Sequence, residues 1–236
     1  MPKIRFEYHP EIISIFPEVQ AGVVVGQAPN KPSPEDLKNR FYEEQQAVLA
    51  EIGDTPLSEL ESLSAWRTAF RRFGVNPTKY RSAVEALLRR LTKQGDIPSI
   101  NALVDIGNLV SIRYRVPVAV FDLDRVAGSI EVRLAEGDES FTPLFMEEPE
   151  HPEPGEVIFI DGNNLVAARR WCWRQSDQSA SRLETRSVMI VTEAHHPGAD
   201  EAVRQAAADL QELCAVYLGN QWDTGTVNAD SPAYLR

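Results

Sequence analysis

The chain begins with short apolar runs and continues with helical periodicity. The apolar runs predict short strands at residues 4–8, 12–15 and 21–25. Apolar side chains then recur every three or four residues, which predicts amphipathic helices over residues 35–53, from Thr55 to the break at Asn76-Pro77, and over residues 80–91. Ser33 is the predicted N-cap of the first of these helices.

From residue 100 the pattern changes to apolar runs that are typical of strands. A helix-like segment that carries Asn101, Asp105 and Asn108 comes first. Strands are predicted at residues 116–121, 129–134, 155–160, 165–173 and 187–193, and a proline-rich acidic loop at 141–156. An amphipathic helix at 199–217 follows, and the residues after Gly219 are predicted to form a loose tail. Helices, then strands, then a closing helix indicate an α+β fold in a single domain.

Composition limits the classes of function. No run approaches the roughly 18 apolar residues that span a bilayer, and the first residues lack the apolar core of a signal peptide. Cys172 and Cys214 have no metal or CxxC spacing, which favours reduced thiols, and the four histidines form no zinc motif. We therefore expect a cytoplasmic protein without a membrane segment, a metal site or a cofactor.

Charge is unevenly distributed along the chain. The formal net charge of −11 argues against general binding of DNA or another nucleic acid through a uniformly basic surface. Residues 66–93 nevertheless carry eight arginines and lysines against Glu85 alone, and five arginines recur between residues 169 and 186. A local basic face on an acidic body suits a selective polyanion partner, although charge alone fits solvated helix faces equally well.

Five motifs occur in an order that points to one family. LVDIGN at residues 103–108, the proline-led FDLD at 117–124, a glycine-linked strand ending in RLAEGDE, FID near Asp161 and LETRSVMIVTEA at 183–194 resemble the B3/B4 domain of the phenylalanyl-tRNA synthetase β subunit. The resemblance runs from about Trp66 to about Leu218. FRRFGVNPTKYRSAVEALLRR and RRWCWRQ further resemble free-standing members of the family, which lack the rest of the synthetase.

The resemblance implies a three-layer β/β/α sandwich with N-terminal helices. Residues 1–236 are then one B3/B4-like domain, with an N-terminal part at 1–60, the family core at 61–219 and the tail at 220–236. In the synthetase, this domain hydrolyses tyrosine that is wrongly esterified to the tRNA for phenylalanine. The resemblance therefore implies a trans-acting editing role or a tRNA-binding role, with the 3′ end of a mischarged aminoacyl-tRNA as the partner.

Two departures from the synthetase concern the substrate. Ala119 stands where the synthetase usually has a histidine shortly before FDLD, and AARRWCWRQ at residues 167–175 replaces a small, glycine-rich strand. Glycines there leave room for an amino-acid side chain, whereas tryptophans and arginines refill or recharge that space. We therefore expect a substrate group other than tyrosine, either smaller or acidic.

Thr185 and Asn108 are the candidate catalytic residues. An aminoacyl ester is activated, so a positioned water and donors for the developing oxyanion can remove it without a serine triad. Thr185 in ETRSV matches a family threonine at the editing pocket, and Asn108 could orient substrate or water. The alternatives are a strand-edge threonine bonded to the backbone and an asparagine that satisfies local backbone groups. His195 or His196 could act as a general base, but a surface loop after the last predicted strand is favoured for both.

The predicted strand at 165–173 and the residue after it provide the candidate substrate-binding residues, which are Arg169, Arg170, Trp171, Trp173 and Arg174. Alternation along a strand places Arg169 with the two tryptophans on one face, and the other two arginines with Cys172 on the opposite face. Arginine beside an indole suits a base, a carboxylate or a phosphate. The alternative puts the tryptophans in the core and pairs the arginines with acids.

Two acids complete the substrate-binding set. Asp122 in FDLD could act in a pocket, but acids in such a turn commonly cap neighbouring amides, and this structural role is favoured. Glu193 ends the apolar strand at 187–193, where it either faces the pocket or meets solvent.

A basic segment provides the candidate tRNA-binding residues, which are Lys79, Tyr80, Arg81, Arg71 and Arg72. The first three follow a helix break, where cations and backbone donors converge and could hold the tRNA 3′ end. The leading hypothesis is a free-standing aminoacyl-tRNA deacylase in which water attacks the 3′-terminal ester. The alternatives are a non-catalytic module that binds tRNA or another nucleotide ligand, and an acidic interaction protein that kept only the fold.

Overall fold

A computed structural model describes residues 4–27, 29–219 and 221–236. The helices are α1 (Pro10–Ile15), α2 (Glu35–Ile52), α3 (Glu61–Arg72), α4 (Ala83–Gln94), α5 (Ala102–Tyr114) and α6 (Ala199–Leu218), with a short 3₁₀ turn at Leu57–Glu59. The strands are β1 (Arg5–Tyr8), β2 (Gln20–Gln27), β3 (Val118–Asp122), β4 (Ile130–Leu134), β5 (Val157–Ile160), β6 (Val166–Arg169), β7 (Arg174–Gln175), β8 (Ser187–Ala194), β9 (Trp222–Asn228) and β10 (Ala233–Leu235). None of the described helices is long and apolar enough to cross a membrane.

The described strands form two sheets. One has the order β10-β1-β4-β5-β6-β7 and the other the order β3-β8-β2-β9. Neighbouring strands are antiparallel apart from β1 and β4, which run parallel. β2 pairs along its length with β8 on one side and β9 on the other, and its central residues are buried. Its continuous apolar run is typical of a strand that is covered on both faces.

Two apolar cores separate three layers. Phe6, Val23 and Phe159 lie in the core between the two sheets. Val24 and Ile190 lie in the second core, where the four-stranded sheet packs against α5 and α6. Because successive residues of a strand point to opposite faces, Val23 and Val24 enter different cores. The α+β fold with three β/β/α layers, predicted from the sequence, is confirmed.

The helices before residue 100 follow the sequence pattern. α2 begins at Glu35 as predicted, and α4 begins at Ala83, where the Ser82 hydroxyl accepts a hydrogen bond from the backbone N–H of Glu85. The predicted cap of α2 is wrong, because Pro34 occupies the N-cap position. The hydroxyl of Ser33 instead donates to the buried carboxylate of Asp105 in α5 at 2.5 Å.

The strand predicted at residues 12–15 is wrong, because these residues form the end of α1. Pro10 occupies the first turn, where its fixed φ suits a helix, and Nδ1 of His9 accepts a hydrogen bond from the backbone N–H of Glu11. Ile12 enters the core between the sheets. A short apolar segment fits a strand or a helix equally well, and the proline and the cap decide between them.

The loose tail predicted after Gly219 is also wrong. Residues Trp222–Asn228 form β9 beside β2, and residues Ala233–Leu235 form β10 beside β1. Trp222 is buried, and its ring covers Gly26 of β2. This segment is largely polar because edge strands with a solvated face need few apolar residues, and its composition therefore resembles that of a loop.

Candidate functional site

A cavity of about 70 Å³ lies between the two sheets. Ala119 and Val191 of the four-stranded sheet line it from one side, and Phe159 and Ala168 of the six-stranded sheet line it from the other. The turn after β6 closes the cavity, and Glu193 of β8 also belongs to its lining. The space depends on small side chains in facing strands, so the alanine at position 119 contributes to it directly.

The turn after β6 replaces the second half of the strand predicted at residues 165–173. β6 ends at Arg169, and Arg170 and Trp171 have positive φ angles of 46° and 59°, which bring the chain back towards the short strand Arg174–Gln175. The predicted alternation of faces is wrong for this reason. Trp171 is fully buried, whereas Trp173 is partly exposed.

The carboxyl group of Glu193 belongs to the cavity lining. Of the two positions predicted for it, the structure has the one that faces the pocket and not the one in solvent. The hydroxyl of Tyr8 and the indole N–H of Trp171 both donate to its Oε1 atom, at 2.5 Å and 3.0 Å. Its Oε2 atom accepts no hydrogen bond from the residues that the structure describes. Burial raises the pKa of Glu193 to about 7, although the two donors act against this rise. The carboxyl group therefore changes its charge near neutral pH.

His195 follows Glu193 by two residues and packs as an aromatic side chain. Its ring centroid lies 4.5 Å from that of Trp66 and 4.7 Å from that of Trp171, with nearly perpendicular planes. Burial lowers the pKa of His195 to about 3, so its ring is neutral at ordinary pH. The expected surface loop is therefore wrong for His195.

Five side chains form a basic-aromatic rim beside the cavity, namely Lys79, Tyr80, Arg170, Trp173 and Arg174. The guanidinium of Arg170 lies 3.9 Å from the ring centroid of Tyr80 and 4.7 Å from that of Trp173. Arg174 lies 4.5 Å from the Trp173 ring, and Lys79 lies 4.9 Å from the Tyr80 ring. Because Trp173 and Arg174 also line the cavity, the rim and the cavity form one continuous surface.

Arg169 is buried, and its charge is engaged within the protein. Its Nε and Nη2 atoms donate to the two carboxylate oxygens of Glu156, at 3.1 Å and 2.8 Å, and its Nη1 atom donates to Glu150 at 2.9 Å. Arg170 also contacts Glu156, at 2.8 Å. Arg169 is therefore paired with acids, as the alternative to substrate binding predicted, and these acids belong to the 141–156 loop. A substrate-binding role for Arg169 stays a prediction.

Thr185 and Asp122 form a buried pair that does not belong to the described cavity lining. Oγ1 of Thr185 donates to Oδ2 of Asp122 at 2.6 Å and accepts a hydrogen bond from the backbone N–H of Arg182 at 2.8 Å. Oδ1 of Asp122 accepts the backbone N–H of Asp124, as the capping alternative requires. The pair joins the turn after β3 to the segment before β8. A catalytic role for Thr185 and a substrate-binding role for Asp122 stay predictions.

A second depression, of about 260 Å³, lies beside α5 and β3. Asn108 lines it together with apolar side chains from the 141–156 loop. Val118 and Gln175 line both this depression and the cavity, so the two spaces adjoin there. Thr185 is not part of either described lining, so the two predicted catalytic residues share no space.

The predicted tRNA-binding residues separate into two groups. Lys79 and Tyr80 belong to the basic-aromatic rim. Arg81 lies 3.7 Å from a buried acid of α4, and Arg72 contacts an acid that follows α1. Arg71 is exposed at the end of α3. Of the five predicted residues, Lys79 and Tyr80 therefore belong to the rim, and neither lines the cavity itself.

Sequence reasoning did not identify three residues of the site, which are Tyr8, Cys172 and Gln175. Tyr8 is 185 positions from Glu193 in the chain. The alternation of exposed and buried side chains along β1 could have predicted that Tyr8 points inward, but not which residue it contacts. Burial, with a smaller contribution from Glu193, raises the pKa of the Cys172 thiol, which is therefore neutral. The amide of Gln175 donates to the carbonyl of Val120 at 2.7 Å and holds the turn against β3.

The fold and the site define an α+β sandwich whose two sheets enclose a small cavity beside a basic, aromatic surface. The family model described as the B3/4 domain matches residues 65–212, and the chain belongs to this family. The matched range contains all of the described cavity lining, including Ala119 and Glu193. The resemblance inferred from the motifs is confirmed.

The relatives are subunits of a tRNA ligase. The phenylalanine–tRNA ligase beta subunit of Shewanella oneidensis is 32% identical over 94 residues, which are 40% of this chain and 12% of that subunit. The subunit of Pectobacterium atrosepticum is 34% identical over 121 residues, which are 51% of this chain and 14% of that subunit. An N-terminal fragment of the phenylalanyl-tRNA synthetase beta subunit from Pyrococcus horikoshii has a TM-score of 0.43 at 13% identity, covering 87% of this chain and 48% of the fragment. The chain thus spans a small part of the length of these ligase subunits.

Proposed function

We propose that this chain acts in the cytoplasm, binds the 3′ end of tRNA and hydrolyses the ester of a mischarged aminoacyl-tRNA in trans. The observation that carries the proposal is the continuity of the cavity with the basic-aromatic rim through Trp173 and Arg174. A charged tRNA 3′ end combines phosphates, flat bases and one amino-acid side chain. The rim suits the first two, and the cavity suits the third. The relation to tRNA ligase subunits supports the same class of partner.

The rim has the chemistry of a surface for single-stranded nucleic acid. Stacking of a base on an aromatic side chain contributes roughly 1–3 kcal/mol and requires no particular base. Trp173 is partly exposed, and arginines lie over its ring at 4.7 Å and 4.5 Å. Lys79 and Arg174 are exposed and can pair with phosphates. The rim therefore combines stacking with charge.

The ester fits best at the junction of the cavity and the second depression, beside Val118 and Gln175. The amino-acid side chain then occupies the cavity, and the terminal nucleoside occupies the second depression. Water adds to the ester carbonyl, and the tetrahedral intermediate loses the ribose oxygen, which leaves free amino acid and uncharged tRNA. A positioned water and oxyanion donors suffice for an activated ester. Asn108, which lines the second depression, is the candidate for orienting that water.

Release of amino acid from a panel of mischarged tRNAs tests this proposal. We expect the protein to release amino acid with multiple turnover from at least one charged tRNA. Trp173→Ala and Arg174→Ala should each weaken tRNA binding by about 10-fold, in keeping with the stacking energies above. Tyr42→Ala is the matched control, because it removes an exposed aromatic side chain from α2, which does not belong to the rim.

A non-catalytic module that binds tRNA or another nucleotide ligand is the second candidate. One observation favours it, since the hydroxyl of Thr185 is engaged with Asp122 and contributes to neither described lining. Binding of tRNA that depends on Trp173, without release of any amino acid, is the result expected of such a module. Failure of both binding and release would contradict both candidates.

A further inference from the structure

The cavity between the sheets is too small for an aromatic substrate side chain. Its volume is about 70 Å³, roughly half of the ~150 Å³ cavity that holds a benzene ring in a protein interior. Phe159 and Trp171 in its lining are fully buried and pack against further aromatic rings, so they have little freedom to move aside. The space suits a side chain of roughly three non-hydrogen atoms.

One polar atom in this cavity has no partner within the described protein. Tyr8 and Trp171 both donate to Oε1 of Glu193, and Oε2 receives neither hydrogen bond. The facing walls are apolar, because Ala119, Ala168 and Val191 form them. Oε2 is not a fully buried atom, so water in the cavity can bond to it. A side chain that fills the cavity displaces this water, and it must then bond to Oε2 itself or leave Oε2 without a partner, which carries an energetic cost.

The groups around Glu193 favour a neutral ligand. Burial raises the pKa values of Tyr8 and Cys172 and lowers that of His195, so all three are uncharged near neutral pH. An ammonium group would have one acid as its partner in an apolar cavity, and a carboxylate would meet a like charge, so both would carry a high desolvation cost. A hydroxyl group can donate to the ionised carboxylate or accept from the protonated acid.

We propose that the cavity selects a small hydroxylated side chain, of the kind found in threonine and serine, and that Glu193 is the residue that determines this specificity. This inference rests on the proposed deacylase function. The hydroxyl group bonds to Oε2 of Glu193, and the carbon atoms of the side chain contact the alanines and Val191. Aromatic side chains are excluded by size, and aliphatic side chains of equal size leave Oε2 without a partner.

Threonine and valine provide a matched pair of substrates, because a hydroxyl in one replaces a methyl in the other. One tRNA is charged with each amino acid, and the rates of release are compared. We expect threonine to be released about 10- to 100-fold faster than valine, the effect of one hydrogen bond to an ionisable group. Tyrosine and phenylalanine should remain at the rate without protein. Equal rates for threonine and valine would overturn the inference.

Substitutions of Glu193 separate recognition from folding. Glu193→Gln keeps an oxygen that accepts from Tyr8 and Trp171 and adds an N–H donor, so the preference for threonine should persist. Glu193→Leu should abolish the preference, so that the ratio of the threonine rate to the valine rate falls to about 1. Thermal unfolding and tryptophan fluorescence show whether each variant is folded. If Glu193→Leu does not fold, Ala119→Leu serves instead, because it fills the cavity and should abolish threonine release.

Binding of amide-linked aminoacyl-adenosines, measured by calorimetry, distinguishes this inference from the proposed function. Tighter binding of the threonyl than of the valyl analogue, without hydrolysis of any ester, would support the inference and contradict the deacylase. Hydrolysis at equal rates for both amino acids would overturn the inference and retain the deacylase. Absence of both a binding preference and turnover would overturn both.

Discussion

At the residue scale, Glu193 links the cavity to the stability of the fold. Its pKa rises from an ordinary value of 4.5 to about 7, chiefly because of burial. Since the folded value is the higher one, the contribution of this group to stability is complete below pH 4.5 and is lost as the pH rises through 7. Tyr8, Trp171, Cys172 and His195 surround this part of the site without a compensating positive charge.

Glu193→Gln should remove a loss of unfolding free energy that the wild-type protein undergoes as the pH rises. The rise in pKa from 4.5 to about 7 corresponds to roughly 3 kcal/mol of unfolding free energy. The wild-type protein should lose this amount relative to the variant as the pH rises from about 4.5 to about 8. Urea unfolding of both proteins across this range measures the difference. The low pKa of His195 gives a dependence of opposite sign in both proteins, and it cancels in the comparison. Parallel stability curves would contradict this prediction.

At the element scale, the turn at residues 170–173 performs two tasks that a continued strand could not combine. It buries Trp171 beneath the cavity and leaves Trp173 on the surface. The backbone N–H of Trp171 bonds to the carbonyl of Val157 at 2.6 Å, which fixes the turn against β5. Arg169 ends β6 and pairs with Glu156, which precedes β5. The turn, β5 and β6 therefore support the site as one unit.

Arg169→Met should destabilise this unit. Removing one partner of a buried ion pair leaves a buried charge and costs about 3–5 kcal/mol, and we expect the lower end because Arg170 still contacts Glu156. Arg204→Met is the matched control, since it removes an exposed arginine that contacts Glu201 of the same helix, and should cost less than about 1 kcal/mol. Urea unfolding measures both changes. Equal and small effects would show that Arg169 does not stabilise the fold.

The sequence predicted the elements whose signals are local. α2, α6 and β8 follow from periodicity and apolar runs, and they occur close to their predicted positions. The turn at 170–173 was not predictable, because positive φ at Arg170 and Trp171 depends on contacts with distant strands. The bond between Tyr8 and Glu193 joins the two sheets across 185 positions, which no local pattern encodes. The family motifs therefore predicted the three layers of the fold, but they did not predict all the residues of the candidate site.

At the scale of the whole molecule, the C-terminal strands complete both sheets. β9 covers one edge of β2, and β10 covers one edge of β1. The ring of Trp222 occupies the space above Gly26, where an added Cβ atom would lie 2.3 Å from the ring. The glycine at this position is therefore required by a close approach between β2 and β9.

Gly26→Ala should destabilise the protein by roughly 1–3 kcal/mol, because overpacking forces the indole ring to move. Trp222→Ala should cost roughly 3–5 kcal/mol through lost burial. The double variant should cost less than the sum of the two, since the small residue at 222 makes room for the new methyl group. Urea unfolding of the three variants completes the cycle. Additive effects would contradict direct packing of Trp222 on Gly26.

The pairing of β1 with β10 brings the two ends of the fold together. The backbone N–H of Ile4 bonds to the carbonyl of Arg236, and the N–H of Arg236 bonds to the carbonyl of Ile4, both at 2.9 Å. A polypeptide that enters the fold at one of these residues therefore leaves it at almost the same point. Such a unit can be spliced into a surface loop of a host protein without stretching the host, and its two ends can be joined while the chain is opened elsewhere. The pairing of β1 with β10 thus gives the sandwich the geometry that domain insertion requires.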